Sequence, residues 1–288
     1  MQEKYTPGYS SNATNFMAKR SLDTHGAFFK PYLRPGMKLL DCGCGPGTIA
    51  LGLAKAIAPG TLTGIDREAS QIQIAAESAF TQGVSNANFL EGNIYALSFP
   101  DNSFDAIFSH ALFEHLQEPA QALRELWRVL KPGGIVGLRS PDWGGFLIAP
   151  STPELEKAFS YYKWLQQQNC GNPYVGRELR ALLRQSGFTN IKASASYQCY
   201  EPLSEATEYL ALLIEASAKV DQAVEEGWTD ERCLRWSLSA AVRAASRREV
   251  RATPTLTAMS HALREWSQHP DGFFAQAWCE VVGWKRLD

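Results

Sequence analysis

Apolar residues along this chain fall into short runs, separated by longer stretches in which they recur every three or four positions. That alternation predicts buried strands joined by amphipathic helices, the pattern of an α/β protein built on a mostly parallel sheet. Leu39 and Leu40 close a first strand at Asp41, and a helix follows over 48–56. A second strand over 61–65 ends at Asp66, a crossover helix covers 70–82, and further strands fall at 88–90 and 104–109. A helix over 119–130, a Lys131-Pro132-Gly133-Gly134 turn and a fifth strand over 135–140 come next. Helices over 153–168 and 175–186 lead to a sixth strand, 191–200. There the alternation breaks: 205–224, 230–245 and 255–266 read as consecutive helices, the last with Thr253 as N-cap and Pro254 at its first position. Only 274–284 returns to a strand. The predicted organisation is an N-terminal helical arm (1–35), a core (36–200), a helical insertion (201–270) and a final core strand (271–288).

The junction of the first strand and helix carries the chemistry. Asp41 is followed by Gly43, Gly45 and Gly47, a bend without Cβ atoms that admits positive φ and close approach of a ligand to the main chain. A strand, such a turn and a helix N-terminus make a nucleotide-type site at the carboxyl edge of a parallel sheet. A dinucleotide fingerprint requires a third glycine where Thr48 stands. The carboxylate that heads the bend suits a cationic ligand and repels a pyrophosphate. Asp66 lies 23 residues after Gly43, near the offset at which an acid meets a ribose. Arg67 beside it either stacks on a base or faces solvent.

Composition narrows the class. With 288 residues, 45% of them apolar, the chain has ample core. A formal charge of -2 argues against a nucleic-acid groove. No apolar run reaches the length of a membrane span, residues 1–30 lack the apolar segment of a signal peptide, and a cytoplasmic protein is expected. The cysteines, at 42, 44, 170, 199, 233 and 279, form no CxxC pair, and no metal site is expected.

Residues 41–47, D-C-G-C-G-P-G, resemble the first motif of class I S-adenosylmethionine-dependent methyltransferases. FDAIFS at 104–109 and LKPGG at 130–134 resemble recurrent segments of the same family, in the right order. The similarity is to small-molecule enzymes of the ubiquinone/menaquinone-biosynthesis kind (type 11). It implies a Rossmann-like sheet of seven strands with the last antiparallel, here with a helical insertion between the sixth and seventh. It also implies S-adenosylmethionine as cofactor, S-adenosylhomocysteine as product and a small, largely apolar acceptor methylated on O, N or C. Cofactor contacts fall on Asp41, Gly43, Cys44, Gly45, Gly47, Asp66, Arg67, Gly92, Asn93, Ile94 and Ser109. In the family the residue at position 93 is commonly Asp; Asn93 keeps a carbonyl acceptor for an adenine amine.

Acceptor chemistry is assigned by position. His110, at the end of the fourth strand, either serves as the base for a hydroxyl acceptor or packs at the cofactor's edge, with Glu114 one helical turn on to orient it and His115 a weaker candidate. Asp142 and Trp143, past the fifth strand, bound the acceptor pocket or else cap a turn and the core. Tyr5 and Tyr9 in the YTPGYS arm are placed to close over the cofactor. Behind them an amphipathic stretch with Phe16, Phe28, Phe29, Tyr32 and Leu33 ends at Pro35-Gly36. The insertion carries Tyr209, Leu213, Trp228, Trp236, Met259 and Trp266; Tyr209 and Trp236 are expected to touch the acceptor if it is a lid, while a homodimer surface is the alternative. Asn172-Pro173-Tyr174 falls far from the fourth strand, where a nucleic-acid or glutamine methyltransferase would carry Asn-Pro-Pro-Tyr. The rival classes are a non-catalytic S-adenosylmethionine-binding scaffold and a nicotinamide oxidoreductase.

Overall fold

The alternating pattern is realised as strands β1 (Lys38–Cys42), β2 (Thr61–Asp66), β3 (Ala87–Glu91), β4 (Phe104–His110), β5 (Leu130–Ala149), β6 (Thr189–Cys199) and β7 (Phe273–Trp284). The helices are α1 (Ser11–Ala18), α2 (Leu22–His25), α3 (Thr48–Ile57), α4 (Ala69–Thr81), α5 (Pro119–Val129), α6 (Pro153–Gln168), α7 (Val175–Gln185), α8 (Leu203–Glu225) and α9 (Leu256–Trp266). The structure is a computed structural model and describes residues 3–225 and 256–287. The expected helix at 230–245, Trp228, Trp236, Thr253 and Pro254 lie outside those residues.

All the strands share one sheet, ordered β3-β2-β1-β4-β5-β7-β6. β1 pairs in parallel with β2 and β4, and β7 runs antiparallel to both β5 and β6. The strand order reverses beside β1, which opens a crevice at the carboxyl ends of β1 and β4. Successive strand residues point to opposite faces. Leu39, Ala106, Phe108 and Ile135 pack toward α3 with Leu53 and Ile57, while Leu40, Ile107 and Val136 pack toward α5 and α7 with Leu123, Leu126 and Leu183.

Two elements differ from expectation. The Lys131–Gly134 turn is absorbed into β5 as a register shift between Phe104 and Ala106 of β4, because Gly133, at φ +76, lets the strand swing without ending. β5 then continues past Ser140 because β7 pairs with it along its length, with a second irregularity between Asp142 and Leu147 that turns Trp143 off the sheet. The N-terminal amphipathic stretch is broken into α1, α2 and a short turn at Lys30–Tyr32, with the Ser10 and Ser21 hydroxyls capping the two helices. Between β6 and β7, α8 and α9 pack on α6 around Phe159, Leu210, Ile214, Met259, Leu263 and Trp266, a third apolar cluster beside the sheet's active edge.

Candidate active site

Asp41 reaches the carboxyl end of β1 only 2% exposed. Its carboxyl lines a cleft and has no hydrogen-bond partner among the described residues. Burial, reinforced by the negative charge of Asp66, pushes its pKa up to about 8. Beyond it Gly43 and Gly45 adopt φ of +73° and +52°, and a Cβ on Gly45 would meet nothing within 4 Å, so the bend presents open backbone to the cleft. Gly45 N–H donates to Asp66 Oδ2 at 3.0 Å and Glu68 N–H to Oδ1 at 3.0 Å. Two backbone donors thus aim the second carboxylate, whose pKa burial nevertheless raises. Gly43, Cys44, Arg67, Gly92, Asn93 and Ile94 complete the rim of this cleft, which encloses about 970 Å³ including open solvent.

The N-terminal arm lies over it. Glu3, Tyr5 and Tyr9 all line the cleft. Tyr5 and Tyr9 stack at 5.1 Å, and the Tyr5 ring meets His115 edge-on at 4.6 Å. Glu3 holds the arm down: its carboxylate accepts from Tyr95 Oη at 2.6 Å and from Gln117 N–H at 2.9 Å, and pairs with Arg67 at 3.4 Å. Arg67 also donates to Tyr9 Oη at 3.5 Å.

A second cleft, about 620 Å³ including open solvent, adjoins the first and shares Tyr5, Met17, Arg20, Ala111 and His115 with it. Its walls include Phe16, Trp143, Tyr162, Tyr200, Tyr209 and Trp278, and its polar groups include Glu114, His115, Gln276 and Arg20. Phe16 stacks on Tyr209 with rings 4.8 Å apart and 6° from parallel, so α1 and α8 close one side together. Arg20 has no side-chain partner among the described residues, which leaves a free guanidinium where the clefts meet. Ala111, at φ +55, takes the left-handed conformation at the same junction.

Several expected site residues hold other positions. His110 borders the first cleft and not the second; its ring stacks on Trp278 at 4.8 Å and meets His25 edge-on at 5.2 Å. Burial holds its pKa well below the usual range, so the ring is neutral. Glu114 does not orient it: the Glu114 carboxylate accepts from Ser140 Oγ at 2.9 Å and lies 3.7 Å from His115 Nε2. Asp142 touches neither cleft, because it forms a bidentate ion pair with Arg177 and accepts from Gly144 N–H; its neighbour Trp143 is the wall residue. The Ser109 hydroxyl donates to Cys42 O at 2.9 Å and is buried away from the cleft. Gly47 caps α3 at φ +82, and a Cβ there would stand 2.7 Å from Ala75 Cβ, so it serves packing of α3 on α4 rather than contact with a ligand.

Sequence reading missed Glu3, Arg20, Tyr162, Tyr200, Gln276 and Trp278. The β7 pair was detectable, since Phe274, Gln276 and Trp278 alternate on one strand and so share a face, which is the face toward the second cleft. Glu3 and Arg20 carry no local signal: Glu3 meets Arg67, Tyr95 and Gln117, which follow β2, β3 and β4, and Arg20 has no side-chain partner among the described residues.

Residues 33–203 match the family model described as a methyltransferase domain. An uncharacterized methyltransferase of Schizosaccharomyces pombe is 32% identical over 209 residues, 68% of this chain and 73% of the relative. A protein of Aspergillus luteorubrus described as a probable methyltransferase is 27% identical over 301 aligned positions, covering 98% of this chain and 97% of its own. Among solved structures, phosphoethanolamine N-methyltransferase 2 of Haemonchus contortus, in complex with phosphomonomethylethanolamine and S-adenosylhomocysteine, has the same fold, with a TM-score of 0.54 at 16% identity over 92% of this chain and 52% of that one.

Proposed function

We propose, from the premise that this chain belongs to the methyltransferase-domain family, that it transfers the methyl group of S-adenosylmethionine to a small, largely apolar molecule held in the aromatic cleft. The observation that carries this reading is the unpartnered, buried Asp41 carboxyl facing a cleft that also contains Asp66 and the free Arg20. Such a set fits the cofactor group by group. Asp41 suits the ammonium of its amino-acid tail, Arg20 the tail's carboxylate and Asp66 the ribose hydroxyls, while Asn93 and Ile94 line the same cleft for the adenine. When bound, S-adenosylmethionine supplies an electrophilic methyl group. The chain's own residues do the rest: they hold two reactants in adjoining clefts and keep the junction dry. Orientation of this kind is worth ~7–11 kcal/mol of barrier.

The arm and the insertion act together as a lid in this account. Tyr5 lines both clefts, and α8 contributes Ala206, Tyr209 and Leu210 to the second. Lys19, just past α1, forms an ion pair with Glu205 of α8 and ties the two covers together. A closed apolar cover excludes water from a reactive sulfonium. No described helix is long and apolar enough to cross a membrane.

The test is incubation with S-adenosylmethionine and a library of small aromatic metabolites. The expected result is release of S-adenosylhomocysteine matched to a gain of one methyl mass on an acceptor. Cofactor binding with no release against any acceptor would favour the scaffold alternative, and binding of NADH in its place would favour an oxidoreductase.

A further inference from the structure

The second cleft is rich in aromatic rings. Two polar groups on its surface are fixed by the fold with acceptor atoms to spare. Gln276, 1% exposed, donates through Nε2 to Asp142 O at 2.9 Å and to Ala277 O at 3.0 Å, so its Oε1 is held in place without a partner. Glu114, 3% exposed, is held at three points. Its carbonyl accepts from Asn172 N–H at 2.8 Å and from Gln166 Nε2 at 3.0 Å, and its Oε2 accepts from Ser140 Oγ at 2.9 Å. Oε1 has no hydrogen bond from another described residue, and His115 Nε2 lies 3.7 Å from it. The Asn172-Pro173-Tyr174 turn thereby acquires a role: Asn172 anchors Glu114, and Pro173 O accepts from Trp143 N–H at 2.9 Å. A reactive group is useful when its supporting contacts lock it before substrate arrives.

Resting on the methyl-transfer reading above, we propose that Glu114 is the general base of the reaction and that the acceptor is a hydroxylated aromatic molecule, its hydroxyl facing Glu114 and its ring between the cleft's aromatic side chains. The acceptor O–H bond breaks and its proton passes to Glu114 Oε1. The freed oxygen pair forms the new O–C bond to the methyl carbon as the C–S bond breaks, and that bond's electron pair stays on sulfur, leaving a neutral thioether. The proton leaves Glu114 for water after product departs.

Geometry and electrostatics agree on the assignment. The charged and titratable groups facing Glu114 are Arg20, Arg139, His115, Tyr5 and Tyr162. Burial outweighs the residue's own backbone N–H, the Ser140 hydroxyl, Arg20 and Arg139 and brings the carboxyl up to about 7, where a base both accepts and returns a proton near neutrality. His115, held down to about 3 by burial and by Arg20 and Arg67, is too weak a base for that task.

The test compares wild type with Glu114→Gln, which keeps the Ser140 contact, and with Ser140→Ala, which keeps the acid. For a high-pKa phenol, wild-type kcat/KM should rise with pH to a plateau, with an acid limb near 7. Glu114→Gln should lose that limb and about 10²–10⁴ of the rate, and lose far less with a nitrophenol already ionised at the assay pH. Ser140→Ala should move the limb to higher pH, since a donor to the carboxylate is gone. Without cofactor, calorimetry should show wild type preferring a phenol over its methyl ether by about tenfold or more and Glu114→Gln losing that preference. Turnover restricted to amines, or a Glu114→Gln protein with wild-type limb and preference, overturns the proposal while methyl transfer stands. Failure of wild type to bind S-adenosylmethionine overturns both.

Discussion

Asp41 is neutral in the free protein at pH 7 and must ionise to pair with a cation, and this makes cofactor binding a proton-coupled event. With its pKa at about 8, roughly 90% of the molecules carry a proton on Asp41 at pH 7. An ammonium seated beside it favours the carboxylate and lowers that pKa, so binding releases a proton. Affinity is therefore expected to rise by up to about tenfold per pH unit between pH 6 and 8, equal to ~1.4 kcal/mol per unit, and to level off above 8. Calorimetric titration with S-adenosylmethionine in two buffers of different ionisation enthalpy counts the proton directly: close to one released at pH 7, falling toward zero above pH 8. Because the Asp66 charge contributes to the raised pKa, Asp66→Asn should shift the profile to lower pH. Asp41→Asn should make both affinity and heat independent of buffer. A flat pH profile with buffer-independent heat in the wild type would refute the reasoning.

The same groups set the pH dependence of stability. Between about pH 6.5 and 8 folded Asp41 and Glu114, with pKa values of about 8 and about 7, still hold protons that the unfolded chain has released. The folded state then binds more protons, so stability falls as pH rises through that window. His25 and His115, lowered to about 3, act the other way, but only below about pH 6.5, where the unfolded chain protonates first. Thermal denaturation across pH 6–9 should show the decline, and Asp41→Asn should flatten it.

Gly47→Ala meets Ala75 at 2.7 Å from a left-handed backbone and should cost ~1–3 kcal/mol, seen as a lower Tm, with cofactor affinity retained in the folded protein. Glu3→Ala removes the anchor of the N-terminal arm and should speed both proteolysis of residues 3–10 and cofactor dissociation, the latter by about tenfold in stopped flow. Arg20→Ala should weaken S-adenosylmethionine by about tenfold and leave a decarboxylated analogue unaffected; equal loss for both would remove Arg20 from the carboxylate.

The centre of the sheet was legible because β1, β2 and β4 are short apolar runs of five to seven residues, and period is a local property. The cofactor edge was legible for the same reason: Asp41, Gly43, Gly45, Asp66 and Asn93 sit at strand ends, and strand ends in this topology converge. The acceptor side was less so. His110 and Asp142 stand at strand ends too, but Trp278 stacks over the one and Arg177 neutralises the other, and neither partner is near in sequence. Glu114 looked like an accessory to His110 by helical spacing, yet the turn at Phe113–His115 directs it to Ser140 on the neighbouring strand. Arg20 and Glu3 act through what they lack or find across the fold, which periodicity does not record.

The central claim is that the acids ending β1 and β2 hold S-adenosylmethionine. Titration calorimetry of the wild type against Asp66→Ala at pH 8 tests it most directly. Saturable heat with S-adenosylmethionine is expected for the wild type, and a loss of affinity of about tenfold or more in the variant. No heat from the wild type, or equal affinity in the two proteins, would contradict it.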